Sequence, residues 1–98
     1  LGDVFLGRGP RPDPDRLRLA LELMRNAAAQ APRASRPAPL TAAAWLSWAL
    51  GRSSHAAHYL ERVRDIDPGY GLAALLATMM GAAVLPEWAF RRGPQAAT

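Results

Sequence analysis

Apolar residues recur at helical spacing through most of this chain. Leu17, Leu21, Met24 and Ala28 fall three, four or seven apart, and Arg16, Arg18, Glu22, Arg25 and Asn26 occupy most of the remaining faces. That pattern predicts an amphipathic helix over about 14–31. Asp13 is placed to cap it, Pro14 suits the first helical position, and Asp15 sits where the helix dipole favours a negative charge. Pro32 stops it. The stretch "PRASRPAP", 32–39, carries three prolines and reads as a loop.

A second helix is expected from near Pro39 to Gly51. Its sequence, "LTAAAWLSWAL", is apolar on nearly every face, so it should be enclosed from several sides and form the centre of the domain. A third follows Ser53 or Ser54, either of which can cap it. Ala56, Tyr59, Leu60, Val63 and Ile66 form its inner stripe; His55, His58, Glu61, Arg62, Arg64 and Asp65 face outward. Asp67-Pro68-Gly69 ends it, because proline offers no donor and glycine permits a sharp reversal. A fourth helix covers about 71–83, and "PEWAF" from Pro86 reads as a short turn. The expected fold is therefore all-α: a four-helix small domain over 13–90. Residues 1–12 form an arm or linker with one apolar patch at Val4-Phe5-Leu6, and 91–98 form a disordered tail.

Composition narrows the chemistry. The chain has 98 residues and a formal charge of +4, and every basic residue is arginine. A domain this short has a thin core, so each large apolar residue counts. The absence of cysteine excludes disulfides, thiolate metal sites and cysteine nucleophiles, and is compatible with a cytoplasmic setting. There is no signal-peptide pattern, and the longest uncharged run, 71–86, is too short and too glycine-containing to span a bilayer, so no membrane role is expected. The chain begins with Leu1 and reads as the C-terminal part of a longer protein.

The spacing Gly51, Ala56, Leu60, Val63, Pro68 follows the second half of a tetratricopeptide unit: a glycine at the turn, a small residue for close helix approach, a proline at the repeat end. The preceding helix departs from the pattern, with only Leu40 a comfortable match among Leu40, Ala43, Ala44 and Ser47. One repeat cannot bury its own faces, so the flanking helices must complete the core of this tetratricopeptide-like antiparallel pair.

A longer likeness covers about 7–90. The run "RPAPLTAAAWLSWALGRSSHAAHYLERVRDIDPGYGLAALLATM" and the closing "LPEWAF" carry Pro-Leu, Ala-Trp-Leu, a tryptophan-containing turn, glycine, an alanine-rich helix and Asp-Pro-Gly-Tyr followed by Leu-Ala. In these features the chain resembles the C-terminal helical part of an actinobacterial family, domain of unknown function 4192. "GRSSH" departs from the Gly-Asp-Gly associated with that turn. The resemblance implies a helical appendage to a larger region and supplies no catalytic residues.

Candidate chemistry is sparse. His55 and His58 could approach one ion from a single helix face, but no other histidine or cysteine closes a ligand set, so no metal is expected. Ser53 and Ser54 beside His55 lack a nucleophile elbow or oxyanion site, and capping explains them. "GRGP", 7–10, is not a phosphate loop, and the carboxylates lie mostly near helix ends. No cofactor and no catalytic residue are assigned. Arg8, Arg11, Arg33, Arg36, Arg91 and Arg92 lie in arms and loops and could form a basic rim for nucleic acid. A solvated rim needs fewer assumptions.

Two groups remain. In a tetratricopeptide array Thr41, Trp45 and Trp48 would line the concave, ligand-facing surface. In so small a domain the first helix should instead cross that surface and bury both rings as core. The uncharged run 71–86 carries Leu72, Leu75, Leu76, Met79 and Met80. It lacks the polar outer face that a terminal helix normally shows. Either Trp88 and Phe90 fold over it or a partner covers it: a second copy, giving a homodimer, or the N-terminal region of the parent protein. The expected role is non-enzymatic, a packing or protein-protein interaction module. The rivals are a nucleic-acid-binding accessory domain and an accessory domain of an enzyme whose catalytic region lies elsewhere.

Overall fold

The computed structural model describes residues 6–8, 10, 12–82 and 85–90. Val4, Phe5, Arg11, Arg91, Arg92 and the expected tail lie outside them. The chain is all-α: α1 spans Pro14–Gln30, α2 Pro37–Ala49, α3 Ser53–Ile66, α4 Gly71–Ala82 and the single-turn α5 Glu87–Phe90, with a 3-10 turn at Arg33–Ser35. No strand occurs among the described residues.

The helix ends follow local chemistry. At α1 the Asp13 carboxylate accepts from the Asp15 N–H at 2.9 Å, which satisfies one of the first-turn donors. α2 begins two residues earlier than its prolines suggested. Pro37 occupies the first turn, where a missing N–H costs nothing, and the Arg36 carbonyl accepts from Leu40 N–H at 3.0 Å. Arg36 also donates from Nε to the Ala31 carbonyl at 2.9 Å, so the loop is closed by its own arginine. At α3 the expected serine cap is not made. Arg52 precedes the helix without a side-chain cap and Ser53 is already its first residue. Gly51, at φ +80°, supplies the left-handed turn between α2 and α3. The Asp67 carboxylate then accepts from Gly69 N–H at 3.1 Å and ends α3.

α2 is the centre. Leu40, Thr41, Ala43, Ala44, Ser47, Trp48 and Ala49 are all buried. α3 packs along it most extensively, α1 next, and α4 leans more lightly on α2 and α3. The alanines set the closeness: Ala43, Ala44 and Ala56 are wholly enclosed and let the helix axes approach. One cluster joins Ala28, Leu40 and Val63 beneath Tyr59, Ile66 and Tyr70. A second joins Ala44, Leu60 and Leu76 beneath Trp45, Met79 and Met80.

The expected arm is tied down at one point. Gly7 is buried, and its carbonyl accepts from Glu87 N–H at 2.8 Å. A side chain there would begin 2.5 Å from Trp48 Cη2 and 2.9 Å from Pro86 Cβ. The last turn is held as firmly: Trp88 is 2% exposed and donates its indole N–H to the Ala49 carbonyl.

Candidate functional site

α1 and α4 stand on either side of α2 without closing over it. Between them lies an open hollow of about 420 Å³. α1 contributes Ala20 and Met24; α2 contributes Ala38, Thr41, Ala42, Trp45 and Leu46; Tyr70, Leu72 and Leu76 complete it. None of these side chains is charged. The polar side-chain atoms of the lining residues are the Tyr70 hydroxyl, the Trp45 indole nitrogen and Thr41 Oγ1, and the last is buried with no hydrogen-bond partner.

Both flanking helices carry exposed leucines, and one of them, Leu72, lines the hollow. Leu19 and Leu23 on α1 are 59% and 55% exposed, and Leu72 and Leu75 on α4 are 47% and 58% exposed. On a helical wheel Leu19 and Leu23 lie on the side of α1 away from its inner stripe. Large exposed apolar residues grouped around one concavity mark a contact surface more specifically than the same residues scattered singly.

The residues singled out in the sequence divide. Trp48 is wholly buried, as a core ring should be; Trp45 is half-buried and lines the hollow. The expectation that α1 would bury both rings is therefore corrected. Trp48 is enclosed beside Gly7 and Pro86, and Trp45 is left half-buried in the hollow next to α1. Thr41 is in the hollow's floor. On α4, Leu76 is 2% exposed and belongs to the core, and Met79 and Met80 are half-buried against the Ala44–Leu60–Leu76 cluster. Only Leu72 and Leu75 of the five proposed surface residues are exposed. Trp88 is buried, with its indole N–H bonded to the end of α2. The Phe90 side chain lies outside the described part. Ala74, Thr78 and Gly81 occupy the outward side of α4, and the Thr78 hydroxyl returns its proton to the Ala74 carbonyl at 3.1 Å. That side is small rather than greasy.

Two of the loop arginines expected to form a basic rim are engaged. Arg36 bonds the Ala31 carbonyl, and Arg33 Nη2 donates to the Asp65 carbonyl at 3.2 Å. His55 and His58 are exposed, and among the described residues no three metal-ligating side chains converge. No helix among them is long and apolar enough to cross a membrane. Leu19 and Leu23 were missed from the sequence; two leucines at i, i+4 on the side of α1 away from its inner stripe were the available signal.

The fold and the hollow define a small all-α domain wrapped around one enclosed helix, with an uncharged concave face. A family model described as "Domain of unknown function (DUF4192)" matches residues 11–87. The chain belongs to that family. No curated protein and no solved structure matches it.

Proposed function

We propose that this domain is a non-enzymatic protein-interaction module that associates through the hollow between α1 and α4, and that its partner is a second copy of itself. The observation that carries the reading is the hollow's uncharged lining, with Leu72 exposed in its wall and Leu75 exposed on the same helix. The second copy is favoured by self-complementarity. α4 carries no charge from Gly71 to Ala82, and Leu72 is both a wall of the hollow and part of the ridge beside it. Two α4 ridges exchanged about a two-fold axis would each enter the other's hollow without burying a charge. Covering the exposed part of each leucine is worth on the order of 1 kcal/mol. The tetratricopeptide-like spacing agrees: Ala56, Leu60 and Val63 are buried, and Thr41 and Trp45, on the side that faces ligand in such arrays, line the hollow.

Light scattering on the purified chain tests this. The expected mass is twice 10.5 kDa, reverting to the monomer in Leu75→Glu with helical circular dichroism unchanged. A monomer at concentrations of about 100 μM, well above a micromolar dissociation constant, overturns the reading. So does a dimer indifferent to Leu75→Glu.

A further inference from the structure

The opposite edge of α1 faces a different kind of groove. Arg18, Glu22 and Arg25 rise along α1 at i, i+4 and i+7, and His55, His58 and Arg62 rise along α3 at i, i+3 and i+7. Arg18, Glu22 and Arg25 on one side and His58 and Arg62 on the other, with Arg52, enclose a cleft of about 680 Å³ whose lining includes Leu40. Four guanidinium groups line it against one carboxylate, Glu22. Arg18 is held by the exposed Asp15 at 2.7 Å; Arg25, Arg52 and Arg62 make no ion pair among the described residues. Like charges gathered in a concavity raise its potential more than the same charges on a convex surface.

A recess of about 230 Å³ opens beside it, bounded by Arg25, Arg52, His55, His58 and Tyr59, with Ser47 at its floor. Ser47 is wholly buried and its hydroxyl has no partner. An orphaned buried hydroxyl costs roughly 1–3 kcal/mol. Its neighbours on α2, Ala43 and Ala44, show that alanine is tolerated on this helix at full burial. A serine in this place, beneath unpaired cations, is accounted for by a ligand acceptor that the hydroxyl meets.

We propose that the α1–α3 cleft binds an oligophosphate chain. Its oxyanions would be held by Arg25, Arg52 and Arg62 with His55 and His58, and the Ser47 hydroxyl would donate to a terminal oxygen. Planar guanidinium forks match phosphate oxygens two at a time. The same charges repel a metal cation, so the two histidines serve an anion. A nucleic-acid backbone would lie across the arginine rims and leave Ser47 unused. The cleft shares no lining residue with the hollow, so this inference stands apart from self-association.

Calorimetric titration of the full chain with inorganic tripolyphosphate at low ionic strength tests it, with adenosine triphosphate as a second arm. The expected result is saturable one-to-one binding that raises the melting temperature, weakened about tenfold or more in Arg25→Gln and in Arg62→Gln. Arg64→Gln, which removes a charge outside the cleft, should leave affinity unchanged. Ser47→Ala separates a ligand role from a structural one: it should raise the melting temperature of the free protein and still weaken binding. Equal retention of adenosine triphosphate and tripolyphosphate assigns recognition to the phosphate chain; preference for the nucleotide adds a base contact, and both support the site. Absence of binding at about 1 mM, equal loss in Arg64→Gln, unchanged affinity in Ser47→Ala, or tighter binding of single- or double-stranded DNA overturns it.

Discussion

Trp88 donates its indole N–H to the carbonyl of Ala49 across 2.7 Å, with both residues buried. Ala49 ends α2, where a carbonyl has no partner from its own helix. The bond therefore satisfies a buried acceptor and fixes α5 to the central helix, 39 residues away in sequence. Trp88→Phe keeps most of the apolar bulk and removes the donor. It should cost about 1–3 kcal/mol, or roughly 4–8 °C in melting temperature per kcal/mol for a domain of this size. Trp88→Ala should cost more, about 3–5 kcal/mol, because a cavity is added. Thermal denaturation followed by circular dichroism orders the two.

Gly7 makes a second long-range tie to the same corner. Its φ of +81° is disfavoured for other residues, and an added Cβ would lie 2.5 Å from Trp48 Cη2. Trp48 is wholly buried and cannot yield without disturbing α2. Gly7→Ala should therefore destabilise by about 2–4 kcal/mol, from left-handed strain and overpacking together. Gly69→Ala is the comparison: its φ is ordinary and its nearest neighbour is the Asp67 carboxylate at 3.6 Å, so its effect should be small. Equal melting temperatures for the two variants would show that the Gly7 segment does not hold its place against Trp48 in solution.

Thr41 has a buried hydroxyl without a partner in the floor of the apolar hollow. Thr41→Val replaces that hydroxyl with a methyl of similar volume and keeps the β-branch. The change should stabilise by about 1 kcal/mol, since the orphaned group loses its desolvation cost. Chemical denaturation should show a higher midpoint with an unchanged slope. A lower midpoint would mean that the hydroxyl finds an acceptor in solution.

Much of this architecture was legible along the chain, and the misses have physical causes. Capping by Asp13, the stop at Asp67, the enclosed second helix and the inner stripe of α3 each depend on residues within a few positions of one another. The start of α2 was misplaced because "PRASRP" looks like a loop until Arg36 is seen to bond back to Ala31. Periodicity found the inner arc of α1, but Leu19 and Leu23 lie on the side of the helix away from it, where a stripe search does not look. The basic cleft was hidden for a different reason. Arg18, Arg25 and Arg62 each read as an ordinary solvated face, and they converge only because α1 and α3 both pack on α2.

Met79 and Leu75 separate the core of α4 from its contact face. Both are large and apolar and lie one turn apart, but Met79 is half-buried against the Ala44–Leu60–Leu76 cluster and Leu75 is 58% exposed. A glutamate at position 79 must either bury a charge or pull away from that cluster. Met79→Glu should thus lower stability by at least about 1–2 kcal/mol and broaden the thermal transition. A glutamate at position 75 reaches water directly, so its effect on the monomer should stay within about 0.5 kcal/mol. Self-association should respond in the opposite order of specificity: Leu75→Glu abolishes it with the fold intact, whereas Met79→Glu weakens it only as the fold loosens. Denaturation curves measured beside sedimentation equilibrium for both variants resolve the two effects. A Leu75→Glu protein as unstable as Met79→Glu would mean that α4 is rotated, turning its leucine ridge inward and removing the basis for self-association through the hollow.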